Sequence, residues 1–235
     1  MNAQQLYQNG QLTEAIQALG AVLREDPTAV RQRTFLFELL CFAGEFDRAE
    51  KQLNLIAQSS REAEMGSLLY RSALHAERLR QDMFLAESAP TGAAAPTAVS
   101  GTLNGEPFSS ISDADPRIGA RLEVYAAGQY TWIPFAQISS MSAPLPQRLR
   151  DLLWIPAVVR PGADYDQFEL GQVILPALTP LAWRHPDEDV RLGRKTDWQE
   201  LPDGTVVPVG QKLLRVDDEL IPILEVRELE ISSAS

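Results

Sequence analysis

Gly10-Gln11-Leu12-Thr13-Glu14-Ala15-Ile16-Gln17-Ala18-Leu19 is echoed 34 residues later by Gly44-Glu45-Phe46-Asp47-Arg48-Ala49-Glu50-Lys51-Gln52-Leu53. Glycine, a large apolar residue, alanine and leucine return at the same offsets. Within each copy the apolar positions fall at the i, i+3, i+4, i+7 spacing of a one-sided helix. This period is that of a two-helix tetratricopeptide unit, a class of repeat that binds other proteins. Each glycine suits the left-handed residue that closes a preceding helix, and the small alanines let neighbouring helices approach. Position 50 breaks the pattern, with Glu where the first copy has Ile16.

Asp26-Pro27 ends the first of these helices and begins the next. Val30 to Ala43 carries Phe35, Leu36, Phe37, Leu39, Leu40 and Phe42, an apolar face too broad for a surface helix. It is expected to be the most buried helix of the first half. Met65, Leu68, Leu69, Ala73, Ala76, Leu79 and Met83 continue at helical spacing without a third glycine, which predicts a helix capping the open end of the stack. Two repeats bury little surface by themselves, so the helical half is expected to lean on the rest of the chain.

The 235 residues, 45% hydrophobic and 23% charged, have the composition of a globular protein with room for a sizeable core. A net charge of −11 repels phosphate backbones and anionic lipid, which argues against nucleic acid as a partner. No apolar run reaches the roughly 18 residues of a membrane span, so membrane insertion is not expected. Met1 to Gly10 lacks the basic start and apolar core of a signal peptide, and the expected location is the cytoplasm. Cys41 is the only cysteine, which excludes a disulfide framework or a thiolate zinc site within one chain.

Ser88 to Thr102 is nearly all Ser, Ala, Pro, Thr and Gly and is read as a linker. Beyond it the sequence breaks into short β-like runs. Leu122–Ala126 and Tyr130–Ile133 flank Ala127-Gly128-Gln129, read as a hairpin with a three-residue turn. Further strands are expected at Gln172–Leu175, Val206–Val209, Lys212–Val216 and Ile223–Ile231, with one short helix in Pro146–Trp154. The fold class is therefore α+β: a tetratricopeptide-like helical domain over residues 1–87, a linker over 88–102, and a compact β-rich domain over 103–235.

The second half also carries longer words: Ser112-Asp113-Ala114-Asp115, Arg117-Ile118-Gly119, Gly128-Gln129-Tyr130-Thr131-Trp132-Ile133-Pro134-Phe135, Leu149-Arg150-Asp151-Leu152-Leu153-Trp154, Leu192-Gly193-Arg194-Lys195-Thr196-Asp197-Trp198 and Gly210-Gln211-Lys212-Leu213-Leu214. In this order, behind a tetratricopeptide start, they resemble the ImpE/TagJ family, also called SciE-type virulence proteins. The resemblance implies an accessory protein of the bacterial type VI secretion system, with no catalytic residues to carry over. It also implies protein partners, since members of the family connect the small sheath subunit TssB with ClpV, the AAA+ ATPase that disassembles contracted sheaths.

The residues themselves offer few chemical sites. Asp113 and Asp115 could hold a cation, but loop aspartates commonly bond their own backbone, and Arg117 is expected to pair with one of them. Arg184-His185-Pro186-Asp187-Glu188-Asp189 lacks a second nitrogen or sulfur ligand and reads as a solvated acidic loop. Leu192 to Trp198 lacks the two glycines of a phosphate loop, so Arg194 is expected to stack on or bond near Trp198 or Asp197. Asp113, Asp115, Arg117, Trp132, Arg194, Asp197 and Trp198 thus form a structural or interface set. No catalytic residue, cofactor or metal is assigned. The leading reading is a non-enzymatic adaptor that seats an amphipathic helix in the repeat groove through Arg31, Arg33, Phe37 and Glu38, with core packing as the competing role for Phe37. The alternative is a metal-dependent enzyme or small-ligand binder using Asp113, Asp115 and Asp187 to Asp189.

Overall fold

A computed structural model describes residues 1–86, 99–162 and 171–232. Five helices come first: α1 Ala3–Gln8, α2 Leu12–Glu25, α3 Val30–Phe42, α4 Phe46–Ala57 and α5 Arg61–Leu85. Gly10 and Gly44 turn the chain between α1 and α2 and between α3 and α4 at φ +79° and +71°, the left-handed region that glycine enters without strain. α2 buries Leu12, Ala15, Ile16, Leu19 and Leu23, the stripe its spacing dictates. α3 is buried without interruption from Leu36 to Phe42, because it lies between its neighbouring helices and the sheet. Glu50, the departure from the repeat, accepts a hydrogen bond from Arg78 of α5 at 3.0 Å, so an ion pair replaces an apolar contact at the α4–α5 seam.

α5 departs from the expected cap. Its second half is the hub of the molecule, with Ala73, Leu74, Ala76, Glu77, Arg80, Gln81 and Phe84 buried, and it packs on the sheet. The expected inward residues Met65, Leu68, Leu69 and Leu79 are exposed instead. Ala73 and Ala76 of the expected stripe are buried, but they share the core face with Ser67, Leu74, Glu77, Arg80, Gln81 and Phe84, so the buried face is half polar and only partly the one the apolar spacing marks.

The β part is antiparallel throughout. Its main sheet has eight strands in the order β2-β1-β13-β6-β7-β8-β4-β5. These are β1 Gly101–Leu103, β2 Glu106–Phe108, β4 Arg121–Ala126, β5 Gln129–Pro134, β6 Ile138–Ser142, β7 Trp154–Pro161, β8 Gly171–Pro176 and β13 Glu228–Ile231. Beside it lie a three-stranded sheet of β3 Ile111–Asp113, β11 Leu213–Val216 and β12 Glu219–Pro222, and a hairpin of β9 Thr196–Glu200 with β10 Val206–Gly210. A single-turn helix, α6 Glu188–Arg191, precedes β9.

Four expectations are corrected. The hairpin of β4 and β5 pairs Ala126 with Gln129, so its loop has two residues, Ala127 and Gly128, both at positive φ as a type I′ turn demands. The run Ile223–Ile231 is a strand only from Glu228. Pro222 ends β12, and Ile223, Val226 and Leu229 are buried at a spacing of three, which builds a 3₁₀ turn first. The short helix in Pro146–Trp154 is a 3₁₀ turn at Leu149–Leu152, and Trp154 opens β7. Of the expected linker, residues 88–98 lie outside the described residues, while Gly101 and Thr102 already belong to β1.

The main core joins the helices to the sheet. Trp154 lies 6.2 Å from Phe37 of α3 and 6.3 Å from Tyr70 of α5, ring centre to ring centre, and Tyr125, Leu153, Ile174 and Leu192 join the same cluster. A second core of β residues, including Val124, Phe135, Met141, Leu214 and Leu229, lies within the β part. No helix among the described residues is long and apolar enough to cross a membrane.

Candidate functional site

Two polar joints tie the helices to the β part. The first is sealed. Arg80 of α5 grips Glu123 of β4 with two hydrogen bonds, Nε to Oε1 at 2.8 Å and Nη2 to Oε2 at 2.9 Å, and Nη2 also donates to the Leu178 carbonyl at 2.9 Å. The Lys212 ammonium, just before β11, contacts both Glu123 and Asp113. Glu77, one turn before Arg80, accepts from Tyr125, Gln81 and, at 3.2 Å, the Trp154 indole. Trp132 of β5 donates to the Tyr130 hydroxyl, which in turn donates to Glu123.

Arg80, Lys212 and Glu123 are at most 1% exposed. Buried charges persist only when paired and hydrogen-bonded. Burial pushes the Glu123 carboxyl up, but the adjacent Arg80 and Lys212 outweigh it and hold it at about 2. At Asp113 burial, helped by the nearby Glu123 charge, outweighs Lys212 and the Asp115 N–H and carries the carboxyl to about 6. Among the described residues each of these charges is paired with another protein group.

Asp113 and Asp115 shape the loop from β3 to β4. Asp113 Oδ1 accepts from the Asp115 N–H at 2.9 Å. Arg117 forks onto Asp115, with Nε to Oδ1 at 2.9 Å and Nη2 to Oδ2 at 2.6 Å, and its guanidinium lies 4.8 Å over the Phe84 ring of α5. Trp132 approaches the same ring at 6.2 Å. Four members of the expected set, Asp113, Asp115, Arg117 and Trp132, therefore gather near the end of α5. Arg194, Asp197 and Trp198 have no hydrogen bond or ring contact with them.

The second joint is a clamp built by α6 and the residues around it. Gln11 gives the start of α2 no side-chain cap, and Glu188 supplies one from across the molecule, accepting from the N–H of Leu12 at 2.7 Å and of Thr13 at 3.1 Å. Arg194 donates to Asp189 at 3.3 Å and to the carbonyls of Gln8 and Tyr7 at the end of α1, with its guanidinium 5.0 Å from the Tyr7 ring. Trp183 lies against the second glycine turn and bonds Gln81 at 3.2 Å. A Cβ at Gly44 would come within 2.4 Å of the Trp183 ring, and one at Gly10 within 2.6 Å of Asp189. The repeat glycines are thus seats for the β part as well as turns.

This geometry corrects three expectations. Asp187 to Asp189 is not a solvated loop, since Asp187 caps α6 and pairs with Lys195 while Glu188 and Asp189 hold the helices. Arg194 reaches α1 rather than Trp198 or Asp197. Phe37 and Glu38 are buried against the sheet, so they cannot line an open groove. Burial raises the Glu38 carboxyl to about 7. Arg33 is half-buried and bonds Gln52 and the Pro27 carbonyl, both at 2.6 Å, which leaves Arg31 as the exposed member of the four. Among the described residues no group of three or more His, Cys, Asp or Glu is placed to hold a metal ion.

Sequence reasoning missed Glu77, Arg80, Glu123 and Lys212. The usable signal was a lone charge inside or at the start of an apolar run, as in Leu122-Glu123-Val124 and Lys212-Leu213-Leu214, since such charges are almost never buried unless paired.

The open apolar surface lies on the first half of α5. Met65, Leu68 and Leu69 are each more than half exposed. Leu69, with Ser72, Pro144, Pro156 and Val158, lines a groove of about 570 Å³.

Comparison with known proteins completes the description. A family model described as ImpE protein matches residues 105–230, and a tetratricopeptide-repeat model matches residues 6–71. The type VI secretion system accessory component TagJ of Pseudomonas aeruginosa is 31% identical over 98% of this chain and 91% of its own length. The X-ray crystal structure of a Vibrio parahaemolyticus protein superimposes with a TM-score of 0.87 over 99% of this chain and 98% of that one. At 21% identity this is a likeness of fold.

Proposed function

The chain belongs to the ImpE family, and from that membership we propose that it is a non-enzymatic accessory component of a bacterial type VI secretion system that acts in the cytoplasm by binding another protein. The observation that carries this reading is the 31% identity to the Pseudomonas accessory component across both the helical and the β part. The proposed partner is the small sheath subunit, TssB-like, and the consequence of binding would fall on sheath recycling by the ClpV ATPase. The closed charge network supports a non-enzymatic role, because its acids and bases face one another rather than a cleft.

The partner's seat moves from the repeat groove to α5. With Phe37 and Glu38 buried, the exposed Met65, Leu68 and Leu69, the last of which lines the groove, are the surface that suits the apolar face of an amphipathic helix. Isothermal titration with the purified small sheath subunit, then with a peptide of each of its exposed helices, tests the reading. Saturable binding to one helix is expected, with affinity falling at least tenfold in a Leu68→Asp, Leu69→Asp variant. Full affinity in that variant removes α5 as the seat. No heat with any ligand, together with no capture of the ATPase, overturns the adaptor reading. Arg31→Glu is the second probe, and a loss of roughly 1 kcal/mol would place the α3 start in the interface.

A further inference from the structure

Beyond that reading, β9 has the features of a second docking edge. It pairs with β10 alone among the described residues, and four of its five residues are exposed. Pro208 stands opposite Trp198, and since proline has no N–H this cannot be a doubly bonded pair. The bonds from Leu201 N to Thr205 O at 2.8 Å and from Gln211 N to Lys195 O at 3.3 Å set the same phase. The backbone groups of Thr196, Trp198 and Glu200 therefore point away from β10, to the open edge. Among the described residues the Trp198 N–H is met there only by its neighbour's carboxylate, Asp197 Oδ1, at 2.8 Å.

Two features define what would pair with this edge. The Trp198 ring is 41% exposed and Val206 49% exposed on the outer face of the hairpin, while Val207 and Val209 fill the inner face. On the outer face beside Trp198 stands Glu200, exposed and without an ion pair among the described residues, while Asp197, on the inner face, keeps 61% of its side chain exposed and has Oδ2 3.4 Å from His185 Nε2. Like charges facing one another across a strand pair are destabilising, so these carboxylates oppose a second copy of β9 and favour a strand with cationic side chains. An exposed indole adds a face for an ammonium or guanidinium group.

We propose that β9 accepts, by strand addition, an extended segment of another protein carrying Lys or Arg at alternate positions. An incoming carbonyl replaces Asp197 on the Trp198 N–H, and the segment's cations, on the outer face, meet the Glu200 carboxylate and the Trp198 indole. Main-chain bonds then supply affinity and the alternating charges supply selectivity.

The probe is a blocked peptide of about eight residues alternating Lys and Val, set against its Glu and Val counterpart. With the full chain, the basic peptide is expected to shift Trp198 fluorescence saturably, to weaken with added salt, and to slow amide exchange at Thr196, Trp198 and Glu200 at least tenfold. Glu200→Pro removes one outward N–H without touching the β10 ladder and is expected to weaken binding at least tenfold. Glu200→Lys, which leaves the backbone intact, is expected to do the same. Absence of binding overturns the proposal, and so does binding that ignores both substitutions, since that would be loose ionic attraction to an acidic protein. A concentration-dependent dimer that slows the same amides would replace the basic segment with a second copy and overturn the proposal equally.

Discussion

The sealed joint under α5 and the clamp around α6 connect the same two parts of the chain with similar side chains, yet they differ in what surrounds them. Glu123 is wholly buried between Arg80 and Lys212, whereas Glu188 and Asp189 keep 23% and 46% of their side-chain surface in water. A buried carboxylate that loses its cation, or a cation that loses its carboxylate, has no solvent to turn to. A half-exposed one exchanges its partner for water at small loss. The sealed joint therefore fixes how the helices sit on the sheet, and the clamp refines how the first two helices end.

Replacing Glu123 by Gln is the harshest way to break this contrast. Arg80 and Lys212 would then share only Glu77 and Asp113, and urea unfolding is expected to show a loss of about 3–5 kcal/mol. A loss below about 1 kcal/mol would mean that the network merely offsets its own desolvation. Since Glu123 is held at about 2 when folded against an ordinary 4.5, its contribution is full above pH 4.5 and is lost as pH falls toward 2.

Glu38 tests burial in the opposite direction. Its folded carboxyl lies at about 7 against an ordinary 4.5, so the folded state holds the proton more tightly. The stability this provides is full below about pH 4.5 and is lost as pH rises through 7, a change on the order of 3 kcal/mol. Glu38→Gln is expected to flatten that slope in thermal unfolding measured from pH 4.5 to 8. A slope that persists would assign it to another group, with Asp113 the first to examine.

Gly44→Ala sharpens the comparison at the clamp. The new methyl meets the Trp183 ring and the backbone stays left-handed, so a loss of about 2 kcal/mol or more is expected. Gly105→Ala shares the positive φ but meets nothing within 4 Å, and about 1 kcal/mol is expected there. Equal losses would mean that Trp183 moves aside without penalty. As small as that control is Glu188→Ala, which leaves α2 uncapped and is expected to lower stability by about 1 kcal/mol, read from the same denaturant curves.

The helical repeat was legible because its signals are local. Gly10 and Gly44 announce the turns, and the stripe from Leu12 to Leu23 announces a buried face. The hub was not legible, because the core side of α5 carries Glu77, Arg80 and Gln81, which read as a solvent face, while exposed Met65, Leu68 and Leu69 read as core. The pairing of Asp115 with Arg117, two residues apart, could be anticipated from the sequence. That of Arg80 with Glu123 could not, since the residues are 43 apart and the lone charge between Leu122 and Val124 signals burial without naming its partner. The candidate docking surfaces suffered likewise: Phe37 looked available until Trp154, far along the chain, was seen to cover it.

The reach of Glu188 to α2 also has a meaning in time. The two residues it joins, Leu12 and Glu188, are separated by 176 positions, so a chain growing from its first residue makes α2 long before the group that finishes it. Closing so distant a contact is slow compared with forming a helix. During synthesis the opening helices therefore wait with bare amide groups at the start of α2 and an empty seat at each glycine turn. They settle only when the segment around Trp183 and Arg194 arrives, so that completion of the first structure made is deferred almost to the last.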